Sequence, residues 1–193
     1  GKSGMASSPT SVAPLVLREI EGYLELIMIL ADRFPLDSST RDPIALRVLA
    51  TLDELPEENQ LDTECLYYRG EALRAMQRHE EAITFLELAT RQQPGQVHIW
   101  LAIGWCEKRC GRLEQAIAAL EQALDVDPDD TLVQYNLACY WSLAGELDNA
   151  LDYLRLASSS DKHYLNLVDA ESDFDAIRAE PQFRQLLSSL ADN

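Results

Sequence analysis

Residues Glu64–Pro94 read ECLYYRGEALRAMQRHEEAITFLELATRQQP, His98–Pro128 read HIWLAIGWCEKRCGRLEQAIAALEQALDVDP, and Leu132–Lys162 continue LVQYNLACYWSLAGELDNALDYLRLASSSDK. The three segments align without a gap at a spacing of 34 residues. Ala82, Ala116 and Ala150 fall at one register, Leu86, Leu120 and Leu154 at a second, and Ala89, Ala123 and Ala157 at a third. Gly70 and Gly104 correspond to Ala138, and Pro94 and Pro128 close the first two units, where the third has Lys162. Within each unit small and apolar residues recur at helical spacing in two stretches, about 63–76 and 80–92 in the first, which predicts two amphipathic helices per unit.

Each position has a physical reason. Small pairs such as Gly70 with Ala82, or Gly104 with Ala116, let paired helices approach closely, while Leu73, Leu86, Trp100, Leu120, Trp141 and Leu154 fill the space between repeats. Gly111 and Gly145 stand at turns that favour a positive φ. Pro94 and Pro128 stop second helices, and Asp127–Asp130 place acids at the start of the next one.

A helix–turn–helix period of this length resembles the tetratricopeptide repeat, TPR. Leu66, Gly70, Leu73, Ala82, Leu86, Ala89 and Pro94 carry the resemblance first, then Trp100, Gly104, Ala116, Leu120, Ala123 and Pro128, then Leu137, Ala138, Trp141, Ala150, Leu154 and Ala157. The resemblance implies an all-α fold: a right-handed α-solenoid of antiparallel helix pairs with capping helices at both ends. Two positions depart from the pattern. Glu107 stands where an aromatic is usual and Arg69 where an aliphatic is usual; a solvated edge is the favoured reading of both, a site that trades packing for function the other.

The flanks extend the array. Residues 1–14 are small, polar and Pro-bearing and read as a disordered tag or leader, with Gly1–Gly4 appended ahead of Met5. Residues 15–34 form one long apolar helix, and Asp42–Leu55 another with Pro43 in its first turn, so that 15–62 makes an N-terminal cap or degenerate repeat. Pro35–Arg41 and Pro56–Asp62 are linkers. Three units follow at 63–96, 97–130 and 131–162, and 163–193 supplies capping helices. In that tail Asp173, Phe174, Ile177, Pro181, Phe183, Leu186 and Leu187 resemble the segment that often closes bacterial TPR arrays: a short helix carries Phe174 and Ile177 onto the last repeat, and Pro181 begins a final helix.

Composition narrows the function. The 193 residues are 47% hydrophobic and 25% charged, as in an ordinary folded protein. With 33 acidic against 16 basic residues the net charge is −17, which disfavours nucleic acid and membrane insertion. Leu24–Ala31 is too short to cross a bilayer. Cys65, Cys106, Cys110 and Cys139 show no disulfide framework or zinc spacing and read as reduced thiols of a cytoplasmic protein. Cys106, Cys110 and His98 share a helical face, but one turn of spacing is a weak metal signal, and the tail aspartates lack the glycine and terminal glutamate of a calcium loop. His79, His98 and His163 lie in no nucleophile, zinc-protease or phosphate-loop motif. The expectation is no enzyme, no catalytic residue, no metal and no cofactor.

Binding of another protein has better support. In TPR arrays the first helix of each repeat lines a concave face, so the resemblance implies a contact set of Tyr67, Glu71 and Arg74, then His98, Leu101, Trp105, Lys108 and Arg109, then Leu132, Tyr135, Cys139 and Ser142. Aromatic residues joined by Arg are common interface anchors. Residues 69–112 hold seven bases against five acids, a local +2 on an otherwise acidic chain, with Arg74, Arg78, Lys108, Arg109 and Arg112 near first-helix ends. Such an edge favours a linear peptide or helix carrying acid. Tyr67, Glu71 and Leu132 do not match the carboxylate clamp of chaperone-binding TPR proteins, so binding of chaperone tails in that manner is not expected. The alternative is a structural or assembly protein that forms homodimers through helix 15–34.

Overall fold

The structure, a computed structural model, describes residues 13–33 and 36–191, and most of the stretch read as a leader, 1–14, lies outside them. Among the described residues the secondary structure is helical, without a strand. The chain divides into two compact units at Ala89 and Thr90, a boundary inside a helix.

In the first unit α1 (Ala13–Arg33) and α2 (Ser38–Asp53) precede a short α3 (Glu57–Gln60), then α4 (Thr63–Ala75) and the body of α5 (His79–Gln92). Ile20, Leu24 and Ile27 of α1 bury against Ala45, Val48 and Leu52 of α2 and Cys65, Tyr68 and Ala72 of α4. The interval predicted as linker at 35–41 is shorter than expected, because the Asp37 carboxylate accepts the Thr40 N–H at 2.9 Å and caps a helix from Ser38. Pro43 therefore sits inside α2 and not in its first turn. The acidic linker 56–62 likewise holds the single turn of α3.

The second unit contains α6 (Val97–Arg109), α7 (Leu113–Val126), α8 (Thr131–Leu143) and α9 (Leu147–Ser160), followed by the short α10 (His163–Leu167), a 3-10 turn at Ser172–Phe174 and α11 (Pro181–Ala191). The helices pair α6 with α7 and α8 with α9, and Pro181 opens the last helix as the sequence predicts. One core runs from Ala116, Leu120 and Ala123 through Leu137, Ala138, Ala150 and Leu154 to Phe174, Ile177, Phe183 and Leu186.

The 34-residue period is visible in the backbone. Each first helix ends in the same left-handed cap: the N–H groups of Gln77, Gly111 and Gly145 reach the carbonyls of Arg74, Lys108 and Ser142, and those of Arg78, Arg112 and Glu146 reach Leu73, Glu107 and Trp141. The capping residues have φ of 62°, 76° and 79°. Glycine adopts this conformation without cost and Gln77 does not. Gln77→Gly is expected to stabilise the protein by about 0.5–1 kcal/mol, read as a raised urea midpoint with unchanged slope; a lowered midpoint would contradict it.

A second recurrence is polar. Trp100 Nε1 donates to the Pro94 carbonyl at 2.8 Å, and Gln134 Nε2, one period later, donates to the Pro128 carbonyl at 2.9 Å. A carbonyl left open after α5 and another after α7 are thereby satisfied. The close approach also differs in detail from expectation. A β-carbon at Gly70 would meet Leu86 first, and one at Gly104 would meet Leu120 and the Ala116 backbone, so these leucines fill space within a repeat.

Neither departure from the repeat pattern is a solvated edge. Glu107 is 7% exposed, and its carboxylate takes Arg112 Nε at 2.5 Å across the α6–α7 turn. Arg69 reaches Asp53 at 2.7 Å and lies over the Phe85 ring at 5.7 Å. Both positions add an ion pair to another element, Glu107 to the turn before α7 and Arg69 back to the end of α2.

Candidate functional site

The expected contact residues fall in both units, and each unit treats them differently. In the first, Glu71 of α4 is buried, and its two carboxylate oxygens take Arg74 Nε at 2.9 Å and Nη2 at 2.6 Å. The same Arg74 nitrogen lies 3.9 Å from the Met28 sulfur of α1. Tyr67 is half-buried beside Tyr68, with ring centroids 5.7 Å apart. The N-terminal helix thus reaches the end of the α4 face on which this trio stands.

In the second unit the chain's own tail lies against Tyr135, Cys139 and Ser142 of α8. Ser142 Oγ donates to the Asp173 carbonyl at 2.8 Å, and the Asp173 carboxylate pairs with Lys108 of α6. Tyr135 is 5% exposed, stacked on Tyr164 at 4.9 Å with the Phe174 ring edge-on at 5.9 Å. Cys139 is buried in the same place. Arg178 holds the covering segment in shape by donating to the carbonyls of Val168 and Glu171 and to Asp175. Tyr135, Cys139 and Ser142 are therefore contact residues for residues 164–174 of the same chain. Sequence reasoning brought Phe174 onto the last repeat but missed Tyr164, Asp173 and Arg178. Asp173 was visible as part of the closing motif; nothing in spacing alone ties it to Lys108, which lies 65 residues away.

What stays open is the face of α6. His98 is exposed, Leu101 half-buried, Trp105 36% exposed and Arg109 exposed. The Arg109 guanidinium lies over the Trp105 ring at 5.5 Å. Leu132, in the first turn of α8, is 46% exposed. An exposed tryptophan beside aliphatic side chains and a stacked guanidinium is the chemistry of an interface anchor.

The Cys139 sulfur and the carboxylates of Glu171 and Asp173 lie within 4.8 Å of one another, the spacing of metal ligands. Their present partners argue for a structural role. Glu171 accepts the Asp173 N–H at 3.1 Å, Lys108 neutralises Asp173, and burial pushes the Cys139 thiol up, away from the thiolate a metal needs. Cys106 is buried and Cys110 partly so.

Burial also raises the hydroxyls of Tyr67, Tyr68, Tyr135 and Tyr140 above their ordinary 10.0, as it raises Cys139 above 9.0. Above those ordinary values the unfolded chain releases protons that the folded chain retains, so stability is fully present below them and falls as pH rises. The urea midpoint is expected to be level to about pH 8.5 and to decline from about pH 9.5, less steeply in Tyr140→Phe; a midpoint constant to about pH 11 would contradict it.

With the geometry in place, comparison with known proteins defines the class. Residues 73–139 match the tetratricopeptide repeat family model. Superkiller protein 3 of Saccharomyces cerevisiae is 28% identical over 97 residues, which is 48% of this chain and 7% of that protein. The chain thus spans a small fraction of this relative's length. A crystal structure of MamA protein superposes with a TM-score of 0.63 at 14% identity, covering 89% of this chain and 88% of that one. A second MamA crystal structure gives 0.58 at 14% identity over 81% and 97%. At such identity the likeness concerns the fold, the antiparallel helix pairs of TPR arrays. Residues 73–139 thus carry tetratricopeptide repeats, and the described residues share the fold of the MamA structures.

Proposed function

We propose that this chain is a protein-interaction module that holds a peptide or helix of another protein on the exposed face of α6. The observation that carries the reading is Trp105, a large ring left 36% exposed, whereas Tyr135 of the neighbouring first helix lies under the chain's own tail. Leu101 before it and Arg109 after it share that helical face, and Leu132 extends the apolar surface on α8. A binding surface accounts for these residues without catalysis. Four free thiols fit the cytoplasm. No described helix is long and apolar enough to cross a membrane.

Trp105→Ala is expected to weaken partner capture by about tenfold or more while leaving the thermal melt within a few degrees of the parent. Tyr135→Ala is unsuited to that experiment, since Tyr135 is buried under Tyr164 and its loss damages the fold. Capture unchanged by Trp105→Ala, measured by surface plasmon resonance with a partner isolated on the full chain, sinks the reading.

A second reading rests on α1, one side of which exposes Leu15 at 72% and Leu26 at 47%. Such a stripe suits pairing with a second copy of the chain. Deleting α1 would also strip Ile20, Leu24 and Ile27 from the core, so Leu15→Glu with Leu26→Glu is the cleaner probe. A full chain that is monomeric in light scattering, or a dimer that survives both substitutions, excludes it.

A further inference from the structure

Five of the seven bases within residues 69–112 are held in ion pairs. Arg69 is spent on Asp53, Arg74 on Glu71, Arg78 on Glu81, Lys108 on Asp173 and Arg112 on Glu107. Arg109 differs. Its guanidinium stacks on Trp105, and among the described residues no carboxylate lies within ion-pair distance of it. Stacking uses the flat face of a guanidinium and leaves its N–H edge to receive a carboxylate.

The same unit already shows what such a pair accepts. Between α6 and α8 the chain seats its own Asp173–Phe174: the acid meets Lys108 of α6, while on α8 the Ser142 hydroxyl donates to the Asp173 carbonyl at 2.8 Å and Tyr135 meets the Phe174 ring. An acidic residue followed by an aromatic one docks there on a cation and an aromatic ring. Trp105 and Arg109, one helical turn apart on α6, present a cation and an aromatic ring again, this time to solvent.

We propose that the α6 face reads a partner segment in which an Asp or Glu lies beside an aromatic residue, the acid taken by Arg109 and the ring by Trp105. This rests on the docking face proposed above. The net charge of −17 adds a constraint, because long-range repulsion disfavours a polyacidic partner. The recognised acid is thus a local feature of a segment otherwise neutral or basic.

The test pans a display library of random short peptides on the full chain, with the Trp105→Ala chain as counter-selection. Peptides that depend on Trp105 are expected to be enriched in Asp or Glu within two positions of Phe, Tyr or Trp. Arg109→Glu should weaken them by about tenfold or more, and changing the peptide acid to Lys should restore binding to that variant. Arg109 is exposed, so Arg109→Glu and Arg109→Ala remain informative should Trp105→Ala disturb the fold. Trp105-dependent peptides indifferent to both Arg109 variants would overturn the proposal and leave the docking face standing. No Trp105-dependent peptide at all would remove both. A dimer that dissociates on Trp105→Ala would make the face a self-interface and overturn the proposal.

Discussion

Phe174→Ala is expected to cost about 3–5 kcal/mol and to lower the midpoint of thermal unfolding by roughly 10 °C. Phe174 is fully buried, with its ring 5.6 Å from Phe183 and 5.9 Å from Tyr135. Alanine there leaves a void lined by aromatic carbon, which rigid neighbours cannot collapse to fill. The same change frees the turn that carries Asp173, so Lys108 and Ser142 lose a well-placed partner. The void and the loosened turn act together because residues 164–174 are one side of a continuous core, not an appendage. Circular dichroism melts of the full chain measure the effect. A shift below about 1 kcal/mol would mean that the tail only rests on α8.

Gly70→Val is expected to destabilise by about 2–3 kcal/mol, in the first unit. A β-carbon at Gly70 would lie 2.6 Å from both Cγ and Cδ2 of Leu86, a fully buried side chain. One of those atoms is the branch point of the leucine, so rotation about χ2 does not clear it. Leu86→Ala in the same chain should return part of the loss, making the pair less than additive, which separates a steric cause from a general weakening of α4. At the equivalent position of the third repeat, Ala138 packs fully buried with Leu154 in the same core, so one methyl is tolerable where the helices have adjusted to it. Urea unfolding of the single and double variants tests the argument, and full additivity would refute it.

How far the sequence could be read follows from how local each determinant is. Helix pairing is encoded at short range by period, glycine and proline, so α4 to α9 appear where 63–162 predict them, down to the positive φ at Gly111 and Gly145. Gln77 escaped notice because the period, not the residue type, sets its conformation. The start of α2 was misplaced because a single side-chain cap at Asp37 competes with the helix-breaking habit of Pro43. Glu107 and Arg69 looked like surface because a charged residue at a packing position is legible only with its partner, and those partners sit in other elements.

The contact face shows the same division. Repeat register assigned the side of each first helix not used for packing, and on it His98, Trp105, Arg109 and Leu132 are exposed. It could not say that Tyr135, Cys139 and Ser142 are already occupied, because a tail more than twenty residues downstream of Ser142 reaches them only in the folded unit. Nor could a count of bases reveal which of them are neutralised, since each ion pair depends on side-chain geometry. By itself the sequence determined a TPR chain of antiparallel helix pairs, closed at its C-terminus by a short segment, because period and turn chemistry act within a few residues. Only the tertiary structure decided that the face of α8 is filled from within and that the α6 face remains open, because burial and charge pairing are properties of groups brought together from distant parts of the chain.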